Sequence, residues 1–444
     1  MKYLELYKTL KNNFKSDFPD FINKIKDSAI NVYDKIGIPD KSNEDYKYID
    51  LKSIFADDYK SVFNNENDKI NINEVFSCDV INLDADVFYL SKGRYQNTEK
   101  IKKFDNGIIV GSLFESIKKY PEIFKKHFSK YANYKKDGII ALNTALFKDG
   151  LFIYVPEKAK TEKPIQLINL LLNNEKEFSN IRNLFIIEKN AQAEIIFCND
   201  SLTANKFLTN SLTEIYVGEN ANLNYSKIQN DHNESANVST TFIHQAKNSN
   251  VLTVVTSLIG KVIRNNIFID IAGEGANNET YGLALTDNKQ HIDNFSFIEH
   301  KAPNCNSRQL FKHILDDNST GAFSGKVLVD RDAQKTNALQ SNNNILLTDK
   351  AKMNTKPQLV IYADDVKCSH GATVGQLDDD AMFYMQARGI PRKEARMLLM
   401  YAFANEILQN IKNTSLKQSL EDLVTRRLNG ELGLCRNCIT RIIN

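Results

Sequence analysis

Apolar residues recur with two different periods along this chain, and the change between them divides it into three stretches. In residues 1–36 the spacing is helical. Phe21, Ile22, Ile25, Ala29, Val32, Tyr33 and Ile36 fall at i, i+3/i+4 intervals, the signature of a helix with one buried face. Pro19 suits the first turn of that helix, Asp17 stands near its start, and Gly37 with Pro39 forms a stop signal. Ser112–Lys130 predicts a further helix with Leu113, Ile117, Ile123, Phe124 and His127 on its apolar side. Between them lie a short segment at Glu44–Phe55, a polar stretch dense in Asn and Asp, and a candidate strand at Val87–Leu90. Residues 1–145 are therefore predicted as a helical or mixed N-terminal region.

From about Gly150 the period becomes that of strands. Leu151–Val155 (LFIYV) and Ile165–Leu172 (IQLINLLL) open a series of short runs rich in Val, Ile, Phe and Tyr. LFII, EIIF, EIYV, VLTVVT, IFIDI, KVLV and LVIY follow between residues 184 and 362. The turns between them repeat. Similar Asn-containing turns begin at Glu188, Gly218, Ala246 and Gly273, with gaps of 30, 28 and 27 residues. The next begins at Asp330 after 57 residues, about two repeats, and one at Thr348 breaks the rule with a gap of 18. A repeat of this length predicts stacked coils, each burying a face against its neighbours. The expected fold is mainly β: a right-handed parallel β-helix core over residues 146–375, flanked by N-terminal and C-terminal α-helical regions. An ordinary β-sandwich is the alternative, because turn signals at the shorter spacing of sandwiches are also partly present. Asn at the turns has a local reason, since it tolerates left-handed backbone angles and hydrogen-bonds its own main chain.

Residues 376–444 return to helical spacing. Asp378 suits an N-cap, with Asp379 and Asp380 at the positive end of the helix dipole. Ala381–Arg388 predicts a short helix stopped by Gly389, and Pro391 fits the start of the next. Ala395, Leu398, Leu399, Ala402, Phe403, Ile407 and Ile411 form the expected apolar stripe of that second helix. A third is expected over about Leu416–Leu428. Three helices of this size bury little by themselves and need the β-core or another chain to dock on.

Composition narrows the function classes. The chain has 444 residues, 42% hydrophobic and 25% charged, values ordinary for a globular protein. Its net charge of +2 excludes strong global steering towards nucleic acid or an anionic membrane. No apolar run is long enough for a membrane helix, and MKYLELYKTLKNNF lacks the features of a secretory signal, so a cytoplasmic location is expected. The six cysteines are too sparse for a disulfide scaffold. Cys435 and Cys438 form one CxxC near the end of the sequence, half of a tetrahedral metal site; a tail pair without a required role is the simpler reading.

Candidate chemistry concentrates in ADDVKCSHGATVGQLDDD, residues 363–380. In a strand, positions i and i+2 share a face, so Cys368 and His370 stand on one side. Thiolate with imidazole suits zinc or iron–sulfur chemistry, but two ligands make an incomplete site. Asp364 and Asp365 offer a hard-metal pair, though such pairs more often cap a strand end. His232, His244, His291, His300 and His313 are scattered through the β-region and read as structural, with His300–Cys305 on an expected loop. No GxxxxGK[ST], GxSxG or HExxH motif occurs, so neither P-loop ATP hydrolysis nor those hydrolytic sites are expected.

The segment KPQLVIYADDVKCSHGATVGQLDDDAMFYMQARGI, extended by YAFANEIL at Tyr401–Leu408, closely resembles the signature of the SufB/SufD family of iron–sulfur cluster assembly proteins. DYKYIDL at Asp45–Leu51 and LNTALFKDGLFIYVP at Leu142–Pro156 resemble its N-terminal motifs. Of the two branches, the wording is that of SufD. Where the SufB pattern carries a cysteine and a glutamate, this chain has Ser341 and Gly371.

The resemblance implies a parallel β-helix between helical regions. It also implies a non-catalytic scaffold pairing with a SufB-like paralogue through its β-helix end, and binding a SufC-like ABC ATPase through its C-terminal helices. ATP hydrolysis would then belong to that ATPase. His370, with Cys368 in the same motif, would handle a transient iron–sulfur cluster or iron shared with the paralogue, and no cluster would be bound stably alone. The resemblance leaves a homodimer open as one form of the isolated chain, which the sequence does not decide; nucleic acid and membrane are not expected partners. The rival functions are a SufB-like primary cluster scaffold and a β-helix enzyme acting on a polysaccharide.

Overall fold

The computed structural model describes residues 2–61, 83–171, 176–201 and 205–431. From Leu151 onwards, successive strands go alternately to two sheets. Glu177–Ile187 pairs with Phe207–Val217, and Gln192–Ser201, which lies between them in sequence, pairs instead with Asn222–Asn230. The alternation continues to Lys352–Ile361, at the end of an eleven-stranded sheet, and Lys367–Gly375, at the end of a ten-stranded one. Every pairing in this stretch is parallel. Parallel neighbours need a crossover, and here each crossover is itself a strand of the other sheet. The result is a β-solenoid. A sandwich of antiparallel hairpins is excluded by the same pairings.

The repeat seen in the sequence is one corner of this coil. Asn190, Asn220, Asn248, Gly275 and Asn304 occupy it with φ of 59°, 56°, 54°, 71° and 60°. Each donates its backbone N–H to the same corner of the next coil: Asn190 to Glu219 O at 2.8 Å, Asn220 to Lys247 O at 2.9 Å, Asn248 to Glu274 O at 2.8 Å. The interval of 57 residues conceals the corner at Asn304, whose turn reads Ala-Pro-Asn-Cys and lacks the shared wording. The turn at Thr348 belongs to the opposite corner, alongside Asn288 and Asp317, which is why it breaks the period.

The solenoid interior is split lengthwise. Ile187, Ile215, Ile243, Ile269, Ile298 and Val327 of one sheet meet Ile195, Leu223 and Val251 of the other in a continuous apolar core. Beside it runs a polar strip. Asn265 Nδ2 donates to Gln229 Oε1 at 3.0 Å and to Asn294 Oδ1 at 3.0 Å, and Asn294 Nδ2 meets His313 Nε2 at 2.9 Å. Lys227 lies in this interior; burial lowers its pKa to about 7 and raises that of the nearby Asp231 to about 6.

The N-terminal region packs on the outer face of the eleven-stranded sheet. Helices Lys2–Asp17, Asp20–Ile36 and Gly138–Leu146 share a core with Leu184, Ile186, Leu208 and Val238. The last of these helices has no amphipathic signature because all nine of its residues are buried. Its Gly138 backs onto Gly37, whose carbonyl oxygen would lie 1.6 Å from a Cβ. The helix expected over Ser112–Lys130 is two, Leu113–Lys119 and Pro121–His127. Pro121 has no N–H and forces Tyr120 out of helical geometry, at φ −128° and ψ 51°. The candidate strand near residue 88 is Asp86–Ser91, and it extends the ten-stranded sheet by pairing with Ile165–Leu171.

Two buried charge pairs fasten this layer. Arg182 binds Glu214, both with fully buried side chains, and Glu214 also accepts from the backbone N–H of Ser129, Tyr131 and Ala132 at 2.9–3.0 Å. Arg264 pairs with Asp293 at 2.5 Å, donates to Asp45 O at 2.7 Å and lies over the Tyr46 ring. The DYKYIDL motif is thereby tied to the solenoid.

Candidate functional site

The site begins where the coil runs out. Lys352–Ile361 and Lys367–Gly375 are the last strands of their sheets, and among the described residues nothing stacks on them. Their side chains show it. Asn306–Leu315, two coils back, is buried at eight of ten positions, whereas Lys367–Gly375 has no buried residue. This open end carries unpaired backbone groups, the condition that proteins cap or pair to avoid aggregation.

Both candidate ligands lie on that last strand. Cys368 pairs in register with Ala338 and packs against the apolar core, so it faces the interior. Burial raises its thiol pKa, with a backbone hydrogen bond from Ala338 opposing the rise. His370, two residues on, shares that inward-facing row, but it is exposed because no further coil among the described residues covers it. The i, i+2 reading of these two residues therefore holds for the strand geometry. They do not complete a metal site: among the described residues, no group of three or more His, Cys, Asp and Glu side chains is placed to hold an ion.

Several other candidates make contacts within the fold. Asp365 belongs to the last corner, where its N–H donates to Gln334 Oε1 at 2.9 Å and its carbonyl accepts from Lys335 at 2.6 Å. Asp378 caps the helix Asp379–Ala387 by accepting from Ala381 N at 3.0 Å. His300 is not in a loop: it ends the strand His291–His300 and bonds Ser307 Oγ at 2.8 Å. His313 bonds Asn344 Oδ1 at 2.8 Å, and Asn344 Nδ2 donates to Thr373 O at 2.8 Å, which holds the terminal strand from within. His244 bonds Asp270 at 2.8 Å on the outer face. Cys435 and Cys438 lie outside the described residues.

Ser341 and Gly371, the positions at which the resemblance to the two branches diverges, are register partners. Ser341 pairs directly with Gly371, one residue out of step with the inward row and so on the outer face. A Cβ at Gly371 would meet nothing within 4 Å. This adjacency is invisible in sequence, where thirty residues separate the two.

The C-terminal helices sit beside the open end, on the outer face of the ten-stranded sheet. Met400, Ala404, Ile407, Leu408, Leu416, Leu420, Leu423 and Val424 cover Leu252, Val254, Tyr281, Leu283, Leu310 and Ile314. The stripe expected in helix Arg392–Leu408 is only partly the buried one. Ala395 and Ile407 are buried, but Leu398 is 49% exposed, and Met400, Ala404 and Leu408 complete the docked face instead. The helix is apolar on most sides, so spacing alone fits more than one face. Large apolar side chains of these helices stay outside the docked face: Leu398, Phe383 at 74% and Tyr384 at 58% exposure.

The protein is thus a parallel β-solenoid with a Cys-x-His strand at its open end and helices docked along its outer faces. The chain matches the SUF system FeS cluster assembly SufBD core domain over residues 170–403 and the SufBD protein N-terminal region over residues 1–167, and it belongs to the SufB/SufD family. It is 31% identical over 425 residues to an iron–sulfur cluster assembly SufBD family protein of Synechocystis sp., covering 91% of each chain. The iron–sulfur cluster assembly protein SufD of Escherichia coli K12 is 32% identical over 292 residues, 65% of this chain and 69% of the relative. A chloroplastic protein of Arabidopsis thaliana, ABCI7, is 29% identical over 417 residues, 91% of this chain and 85% of the relative.

Proposed function

We propose that the chain is a SufD-type, non-catalytic scaffold subunit of a cluster-assembly complex. It pairs through its open solenoid end with a SufB-like paralogue and binds a SufC-like ATPase through its C-terminal helices. ATP hydrolysis belongs to that ATPase, and the cytoplasm, or an organelle compartment as for the chloroplastic relative, is its place of work. His370, with Cys368 behind it, contributes to binding iron or a nascent cluster whose other ligands come from the paralogue.

The observation that supports this most directly is the exposure of His370 on a last strand that nothing covers. An imidazole there presents one or two donor atoms to whatever stacks on the end, and alone it cannot hold a cluster. The exposed Phe383, Tyr384 and Leu398 support a protein partner for the helices. No helix among the described residues is long and apolar enough to cross a membrane.

The test is reconstitution of the purified complex with iron and a sulfur source. His370→Ala is expected to leave the complex assembled while lowering the cluster formed on it. Unchanged cluster yield would remove His370 from the function. A stable cluster on the isolated chain would instead favour a primary scaffold of the SufB kind.

A further inference from the structure

Beneath His370, in the same inward-facing row, lies Gln340, its register partner on the preceding strand of the sheet. Gln340 is only 1% exposed. Its amide is ordered by a directional chain: Gln340 Nε2 donates to Gln309 Oε1 at 2.7 Å, and Gln309 Nε2 donates to Ser296 Oγ. Room for that amide is kept by Gly325 on the facing sheet, where a Cβ would come within 2.5 Å of Gln340 Nε2. With its N–H₂ committed inward, Gln340 is left with its carbonyl Oε1, which is buried and has no hydrogen-bond partner among the described residues. A buried acceptor without a donor costs free energy that a donor brought within reach would recover.

We infer that Gln340 is a positioning residue for His370: its Oε1 accepts a hydrogen bond from His370 Nδ1–H and so fixes the ring with the Nε2 lone pair facing out of the open end. This deepens the reading of His370 given above and rests on it for its purpose. An acceptor can only be met by a protonated ring nitrogen, so the neutral ring is held in one tautomer and its other nitrogen is left free to bind a metal. The Ser296–Gln309–Gln340 chain sets the polarity. Were the Gln340 amide reversed, its N–H₂ would face His370 and select the opposite tautomer. The adjacent Cys368 packs into the apolar core and leaves the ring as the donor that this row presents outward.

The test needs neither partner nor cluster. The chain has seven histidines, few enough for ring-nitrogen correlation spectra of the full chain labelled with ¹⁵N-histidine, with His370 assigned by difference from His370→Asn. Above the pH at which the ring is neutral, His370 is expected as the Nδ1–H tautomer, the minority form of a free imidazole. Gln340→Met, nearly isosteric but without an acceptor, should return it to the mixture dominated by Nε2–H. Gln340→Glu retains an acceptor and should keep the Nδ1–H form, which separates loss of the hydrogen bond from loss of fold. A free-imidazole mixture in the unsubstituted chain, or a ratio that Gln340→Met leaves unchanged, would overturn the inference. That result would leave a cluster role for His370 standing. Conversely, unchanged cluster yield in His370→Ala would end the cluster role and leave the tautomer result intact.

Discussion

The guanidinium of Arg427, near the end of helix Thr414–Leu428, lies 2.5 Å from the carboxylate of Asp287 in a solenoid corner. The same side chain donates to Leu258 O at 2.9 Å and to Gln290 Oε1 at 3.1 Å, and it is 8% exposed. One arginine thus joins the C-terminal helices to two successive coils. The Asp287 carboxyl pKa is lowered despite the burial that would raise it, because Arg427 bonds to it directly.

Replacing Arg427 with Ala leaves Asp287 and the Leu258 carbonyl without their partner. Removing one member of a well-buried pair costs about 3–5 kcal/mol, and this partly exposed one should fall at or below the lower end. The expected outcome is faster hydrogen exchange in Arg392–Leu408 and Thr414–Leu428, with solenoid strands such as Asn222–Asn230 unchanged. Equal loosening of both would show that the helices and the coil unfold as one unit.

The Arg182–Glu214 pair makes a sharper contrast. Glu214→Ala strands a fully buried guanidinium and three backbone N–H groups, so a loss of about 3–5 kcal/mol is expected in denaturant unfolding. Arg182→Met alone leaves Glu214 its three backbone donors and should cost less. A larger loss for Arg182→Met than for Glu214→Ala would contradict this order.

At the repeated corner, side-chain chemistry and backbone conformation can be separated. Asn248 holds φ at 54°, which Gly adopts freely and Ala adopts at a cost of roughly 1–2 kcal/mol. Asn248→Gly should therefore be near neutral and Asn248→Ala destabilising by about 1 kcal/mol, read from the thermal midpoint. Equal effects would mean that this corner imposes no left-handed backbone penalty on Ala.

Three histidines predict the response to acid. Burial lowers the pKa of His127, His300 and His313 to about 4 each, from an ordinary value of 6.5. Between those limits the unfolded chain binds more protons than the folded one, so stability is fully present above pH ~6.5 and falls as pH drops towards ~4. Each group contributes a slope of up to about 1.4 kcal/mol per pH unit. Denaturant midpoints measured from pH 7 to pH 5 should fall, and His313→Asn should make the fall shallower. A flat profile over that range would show that these rings are protonated in the fold.

The amino-acid sequence determined what is local and what repeats. Strand positions such as Leu151–Val155, the Asn corners and the Asp378 cap depend on a few adjacent residues, and a coil stacked on its own copy prints its length into the chain. The motif around His370 carried the family. Tertiary structure decided what depends on neighbours far away in sequence. Gly138–Leu146 lacks a periodic face because every side of it is covered. Helix Arg392–Leu408 is apolar on most sides, so only docking chose Met400 and Ala404 over Leu398 and Ala402. Register alone made Ser341 the neighbour of Gly371 and Gln340 the neighbour of His370. The sequence spaces these partners by a whole coil, and hydrogen bonding between strands brings them side by side.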